Sequence, residues 1–138
     1  MLVQIVIGLV TALSAFTGNE MSVVNTQPTQ EEERATLSPQ EYLQRRAGPD
    51  FELLNRIVIA ESGWKKDIKN PISTASGLFQ YLNSTFLEHC INKYNLAKDL
   101  TEKNDPYIQI DCATKMILED NGLSHWSESQ HLWTITKR

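Results

Sequence analysis

Asp50-Phe51-Glu52-Leu53-Leu54-Asn55-Arg56-Ile57-Val58-Ile59-Ala60-Glu61-Ser62-Gly63 places Phe51, Leu54, Ile57 and Val58 at helical spacing. Asp50 is a good N-cap, and Gly63 is a natural stop, because glycine enters the left-handed conformation that ends helices without a steric penalty. Leu54, Ile57, Val58 and Glu61 stand at i, i+3, i+4 and i+7, so the apolar stripe of this helix ends in a carboxylate. A helix that carries its charge on the core face needs an explanation.

Working outward, Ser38, Pro39 and Glu41 supply an N-cap, a first-turn proline and a glutamate three residues after the cap. They start a short helix that runs to about Ala47 and stops at Gly48-Pro49. Between Lys65 and Ser76 the chain is polar and turn-rich, with Asn70, Pro71, Ser73 and Ser76 and no sustained period, which reads as a loop. Asn83 or Ser84 can cap a third helix whose stripe is Phe86, Leu87, Cys90, Ile91 and Tyr94. Asp105 with Pro106 opens a fourth, with Ile108, Cys112, Ala113, Met116 and Ile117 inward and Asn121-Gly122 at its end. No stretch alternates for long enough to demand a strand, so the fold class is mainly α, a helical domain with at most a minor β-hairpin in the loop.

The chain of 138 residues holds one domain with one core and is short for two. A hydrophobic share of 41% with 22% charged residues excludes wholesale disorder, and a net charge of −4 without a basic patch argues against a nucleic-acid partner. Leu2 to Leu13 form an apolar run followed by small residues, shorter than the roughly 20 residues that span a bilayer. We read residues 1–18 as a secretory signal peptide, or an N-terminal anchor if uncleaved. Residues 19–37, with Gln27-Pro28-Thr29-Gln30 and Glu31 to Glu33, read as a disordered spacer, and 38–138 as the folded domain. The chain is thus expected to be secreted or held in the cell envelope, in contact with a membrane only through an uncleaved leader, and monomeric. Cys90 and Cys112 fit an oxidising compartment: a disulfide would close about 23 residues and stabilise by about 3 kcal/mol. The alternative is two buried free thiols.

Glu61 is the residue with chemistry in prospect. Partial desolvation in the stripe favours its protonated form, and the negative end of the helix dipole acts in the same direction. A carboxyl kept protonated near neutral pH suits glycosidic cleavage, because the glycosidic oxygen leaves poorly until it is protonated. The plainer alternative is a glutamate at the helix edge that reaches solvent and pairs with Lys65 or Lys66.

The next segment decides between them. Ala60-Glu61-Ser62-Gly63-Trp64 is followed by Ser73-Thr74-Ala75-Ser76-Gly77-Leu78-Phe79-Gln80, and the pair resembles the soluble lytic transglycosylase (SLT) family of the lysozyme-like superfamily. There a Glu-Ser pair ends a core helix and a Gly-Leu-Met-Gln or Gly-Leu-Phe-Gln segment follows a variable loop. Gly122-Leu123-Ser124-His125-Trp126, with Ser129 and Trp133, looks like the closing segment of small secreted members. The resemblance covers roughly residues 50 to 133. It implies a lysozyme-like fold, peptidoglycan glycan strands as substrate and no cofactor, with Glu61 as the catalytic residue. Ser62, Gly77, Gln80 and Trp126 are the matched candidates for substrate binding.

Each also has a reading of its own. Ser62 can orient the Glu61 carboxyl or simply cap. Gly77 lets backbone approach a sugar, or only permits a turn. Gln80 offers a donor and an acceptor to sugar amides and hydroxyls, or lies on the surface. Trp126 stacks on a sugar ring or closes the core. Leu78 and Phe79 read as core. His125 lacks a nucleophile motif, His89 and His131 read as solvent-facing, and three scattered histidines make no metal site. The tyrosine motif of larger members has candidates in Tyr81, Tyr94 and Tyr107, none in a convincing context.

In the mechanism the resemblance implies, Glu61 protonates the oxygen between N-acetylmuramic acid and N-acetylglucosamine and then, as base, leaves a 1,6-anhydro end. The closest rival is a lysozyme-type hydrolase of the same bond, with Asp67 in Lys65-Lys66-Asp67-Ile68-Lys69 as the nearest second carboxylate. A non-catalytic peptidoglycan-binding protein is the rival from another class.

Overall fold

The computed structural model describes residues 26–134. The signal or anchor reading of residues 1–18, and the first part of the spacer, lie outside them. The expected spacer is helical near its end: α1 spans Gln30–Thr36. Thr29 and Glu32 explain it, because Glu32 N–H donates to Thr29 Oγ1 at 3.2 Å and Thr29 N–H to Glu32 Oε2 at 2.7 Å. This is a capping box in a segment whose polar composition reads as disorder.

Helix α2 spans Pro39–Ala47 and starts as expected, with the reciprocal Ser38 and Glu41 bonds both formed. A 3-10 turn, Gly48–Asp50, feeds directly into α3, Phe51–Ser62. Asp50 does not cap it through its side chain, since the turn already delivers the chain in helical conformation. Gly63 ends α3 in the left-handed region at φ 58°, its N–H bonded to Val58 O and Ile59 O. Leu54, Ile57 and Val58 are fully buried.

Helix α4 is one turn, Asn83–Thr85, continuing as π-helical Phe86–Lys93. Neither Asn83 nor Ser84 caps it. Thr74, in the loop, accepts the Asn83 N–H at 3.0 Å instead. The widened winding shows where Tyr94 N–H reaches back five residues to His89 O at 2.8 Å. Helix α5, Pro106–Thr114, begins on Asp105, whose carboxylate accepts from Tyr107 N–H and Ile108 N–H, and continues as π-helical Lys115–Glu119. Ile108, Cys112, Ala113, Met116 and Ile117 are buried as the stripe requires. A 3-10 stretch, Leu123–Ser129, and a single turn, α6, Gln130–Trp133, follow. Among the described residues no helix is long and apolar enough to cross a membrane.

Cys90 and Cys112 are joined as a disulfide, with Cα atoms 5.4 Å apart, tying α4 to α5. The free-thiol alternative is thereby excluded. Next to Cys112, Asp111 is buried and ion-paired. Arg34 donates to it, Arg46 Nε lies 3.2 Å away, and Tyr42 Oη–H donates at 2.9 Å. A buried carboxylate is tolerated only with such partners, and they bind α2 to α5.

The expected hairpin is present in minimal form, as isolated antiparallel bridges between Lys69 and Ser76 and between Ser76 and Tyr81. Its anchor is Gln109, fully buried on α5. Gln109 Nε2 donates to Ser76 O at 3.0 Å and Lys103 O at 2.8 Å, and Oε1 accepts from Phe79 N–H at 2.9 Å. Lys103 Nζ adds bonds to Thr74 O and Asn83 Oδ1. The loop is therefore held along its length by α5 and the segment before it.

Candidate active site

Glu61 occupies the last turn of α3 on the face that Leu54, Ile57 and Val58 bury, with its own side chain half-buried. It does not pair with Lys65 or Lys66, which are exposed. The group that meets it is Ser129, whose Oγ–H donates to Glu61 Oε1. Burial pushes the Glu61 carboxyl above its ordinary range. The Ser129 bond opposes that shift by favouring the ionised form, and the negative charge of Glu128 reinforces it.

Ser129 is itself held. Its Oγ accepts from Trp133 Nε1–H at 3.1 Å and lies 3.2 Å from Trp126 O. Trp126 then connects Glu61 to the loop, because its Nε1–H donates to Phe79 O at 2.9 Å. A continuous path runs from Glu61 through Ser129 and Trp126 to the Gly77–Gln80 segment. Two stretches that the chain separates are joined by its C-terminal part.

The other sequence candidates stand differently. Ser62 is buried and donates to Val58 O at 3.1 Å, so its hydroxyl is spent on its own helix and does not orient Glu61. Gly77 has φ 85°, and a Cβ there would lie 2.0 Å from Gln109 Nε2. The space that glycine leaves goes to Gln109, not to a sugar. Gln80, at φ 52°, donates from Nε2 to Ile68 O at 3.1 Å and Gly77 O at 2.9 Å. Its amide nitrogen therefore closes the turn, and its Oε1 accepts no hydrogen bond among the described residues. Trp126 is 5% exposed and packs edge-on against Phe79 and Tyr81, which makes it core and not a stacking platform. Leu78 and Phe79 are core, as read.

The hydroxyls of the three tyrosine candidates are all engaged within the protein. Tyr81 is buried with its hydroxyl on Met116 Sδ, Tyr107 Oη–H donates to Leu37 O, and Tyr94 Oη–H donates to Asp120. His89 is not solvent-facing: its ring lies 5.0 Å from that of His125, and its buried Nδ1 has no hydrogen-bond partner among the described residues. His131 is exposed, and so is Asp67. Among the described residues no three His, Cys, Asp or Glu side chains gather into a metal-binding group. A cavity of about 360 Å³, lined by Pro49, Asp50, Glu52, Leu53, Arg56, Trp133 and Thr134, adjoins the start of α3 and shares Trp133 with the support of Glu61.

Sequence reasoning missed Gln109 and underused Ser129 and Trp133. A glutamine among the apolar residues of α5 was the available signal for the first. The second pair needed the tertiary return of the C-terminal segment. Residues 39–126 match the family described as Transglycosylase SLT domain. No curated protein and no solved structure matches the chain.

Proposed function

The chain belongs to the transglycosylase SLT domain family, and from that membership we propose that it is a peptidoglycan lytic transglycosylase with Glu61 as its acid and base. The family implies a transglycosylase-type activity on peptidoglycan. The observation that carries the finer reading is the half-buried Glu61 carboxyl at the end of α3, raised in pKa by burial and supported by a hydroxyl.

The chemistry follows from that carboxyl. Glu61 gives its proton to the oxygen between N-acetylmuramic acid and N-acetylglucosamine as the glycosidic bond breaks, so the leaving sugar departs as a neutral alcohol. The substrate's own acetamido group stabilises positive charge at the anomeric carbon. Glu61, now ionised, removes the proton from the muramoyl C6 hydroxyl, whose oxygen bonds to the anomeric carbon. The product is a 1,6-anhydro end, water is not consumed, and Glu61 is protonated again. One carboxylate serves both halves of the cycle.

Hydrolysis of the same bond is the second reading, and the feature that keeps it open is the exposed Glu128, whose negative charge helps to raise the Glu61 carboxyl. Hydrolases of this kind use two carboxyl groups about 5 to 9.5 Å apart. Asp67, the sequence candidate for that role, is exposed in its lysine-rich loop. Location in an oxidising, extracytoplasmic compartment is part of the proposal, supported by the Cys90–Cys112 disulfide.

Turbidity of purified cell-wall material separates an enzyme from a wall-binding protein. Wild type is expected to clear the suspension, and Glu61→Gln to lose at least about 100-fold of the rate. Equal clearing by both proteins would remove Glu61 from the chemistry.

A further inference from the structure

The Glu61 carboxyl takes one hydrogen bond from a side chain among the described residues, and the donor stands 68 positions further along the chain. Ser129 also lies beyond residue 126, where the family match ends, so membership assigns it no role. We propose that Ser129 is the positioning residue of the site: it holds Glu61 Oε1, so that Oε2 is the oxygen that gives and takes the proton. The inference rests on Glu61 being the acid and base.

A glutamate side chain at a helix end has three torsions and two equivalent oxygens, and either oxygen can carry the proton. A donor fixed on one of them removes that freedom. Ser129 qualifies as a fixed donor, because a hydroxyl has one hydrogen and two lone pairs, and its surroundings occupy both functions. Trp133 Nε1–H donates to Oγ at 3.1 Å, which takes one lone pair and sets the orientation of the group. The single hydrogen then has two acceptors in range, Glu61 Oε1 and Trp126 O at 3.2 Å. An ionised carboxylate is the stronger acceptor and takes it.

The support is also rigid. Trp133 is 5% exposed, Trp126 likewise, and the Trp126 carbonyl that backs Ser129 belongs to the residue whose indole bonds Phe79 O. In the acid state Oε2 carries the proton while Oε1 accepts from Ser129. In the base state the same bond to Oε1 remains and Oε2 is bare. The carboxyl thus passes through both halves of the cycle without turning. A catalytic group held in place by a buried network loses much of its efficiency when the network is cut.

Ser129 is a side chain acting through Glu61, so a loss of rate alone would not identify it. Removing a donor to the ionised carboxyl disfavours ionisation, so the basic limb of the kcat/KM profile must move to higher pH. A purely structural role would lower activity equally at every pH. The experiment compares wild type, Ser129→Ala and Ser129→Thr on purified peptidoglycan across pH, with melting temperature as the check on folding and NMR titration of the Glu61 carboxyl as a readout independent of activity.

Ser129→Ala is expected to lower kcat about 10-fold or more, to change KM less than about 2-fold, and to shift both the basic limb and the titration upward. Ser129→Thr, which keeps the hydroxyl, should restore most of the rate. An alanine variant with wild-type kcat and an unmoved titration would overturn the proposal while leaving Glu61 as the acid. If the alanine variant melts early, threonine decides: failure of a folded Ser129→Thr variant to recover either readout also overturns it. Inactivity of the wild type itself would instead bring down the functional reading beneath it.

Discussion

Glu61 is a carboxylate placed where burial opposes its charge, and that conflict has consequences for stability as well as chemistry. Its folded pKa is raised above the unfolded value by desolvation, the Ser129 bond being the opposing effect. Between those two values the folded state binds more protons than the unfolded chain, so stability falls as pH rises through that window. Glu61→Gln removes the charge. The variant should therefore melt slightly higher than wild type at neutral pH, by about 2 °C because half-exposure screens the effect, with the gain vanishing in acid. Thermal melts at pH 7 and pH 4 check this, and a variant that melts lower at both would mean that the carboxylate is stabilising. Activity should follow the same titration: kcat/KM declines as pH rises through the raised pKa, since the first step requires the protonated acid. At this level the sequence was informative for Glu61, whose i+7 position on the Leu54, Ile57 and Val58 stripe is local. It leaves two readings open for Ser62 and Gly77, whose surroundings depend on distant neighbours. A serine one residue from the acid can as easily bond its own helix, and the room beside a glycine can as easily hold a glutamine.

The loop from Ile68 to Tyr81 shows how an irregular element is held. Its backbone bonds within itself, as from Asn70 N–H to Ala75 O and between Ser76 and Tyr81, and the buried amide of Gln109 adds three bonds from outside, to Ser76, Phe79 and Lys103. Replacing Gln109 with leucine, close in size but apolar, strands the Phe79 N–H and the Lys103 carbonyl, while Ser76 O keeps its bond from Tyr81 N–H. We expect a loss of about 3 kcal/mol or more in urea unfolding, since each stranded buried group costs about 1–3 kcal/mol. A loss under about 1 kcal/mol would mean that water replaces the amide readily. The same comparison explains which elements were legible. Ser38 with Glu41 and Asp105 with Pro106 announce helix starts through contacts within three residues, and the structure has both. Thr29 with Glu32 carries an equal signal, but it sits among glutamates and glutamines that offer little to bury. The caps expected of Asn83 and Ser84 are replaced by Thr74, nine positions away, which no local rule could supply.

Taken together, the core helices are tied by covalent and ionic links that span the chain. Cys90–Cys112 joins α4 to α5, and Asp111 beside it collects Arg34, Arg46 and Tyr42. Replacing both cysteines with serine should cost about 3 kcal/mol, read as a lowered urea midpoint with a steeper slope, because the freed denatured chain exposes more surface. An unchanged midpoint would mean that the packing alone holds these helices. The site depends on the same long-range closure. Fold class and the paired motifs of the family are legible in the sequence, because helix periodicity and paired motifs are local signals. The contact between Ser129 and Glu61 is not, because Ser129 becomes its neighbour only when the 3-10 stretch Leu123–Ser129 packs back against α3. The central claim is that Glu61 drives intramolecular cleavage of glycan strands, and mass spectrometry of muropeptides released by wild type and by Glu61→Gln tests it most directly. The account predicts fragments ending in 1,6-anhydro-muramic acid from wild type and almost none from the variant. Reducing ends, heavier by one water, would contradict the transglycosylase chemistry, and equal release by the two proteins would contradict the role of Glu61.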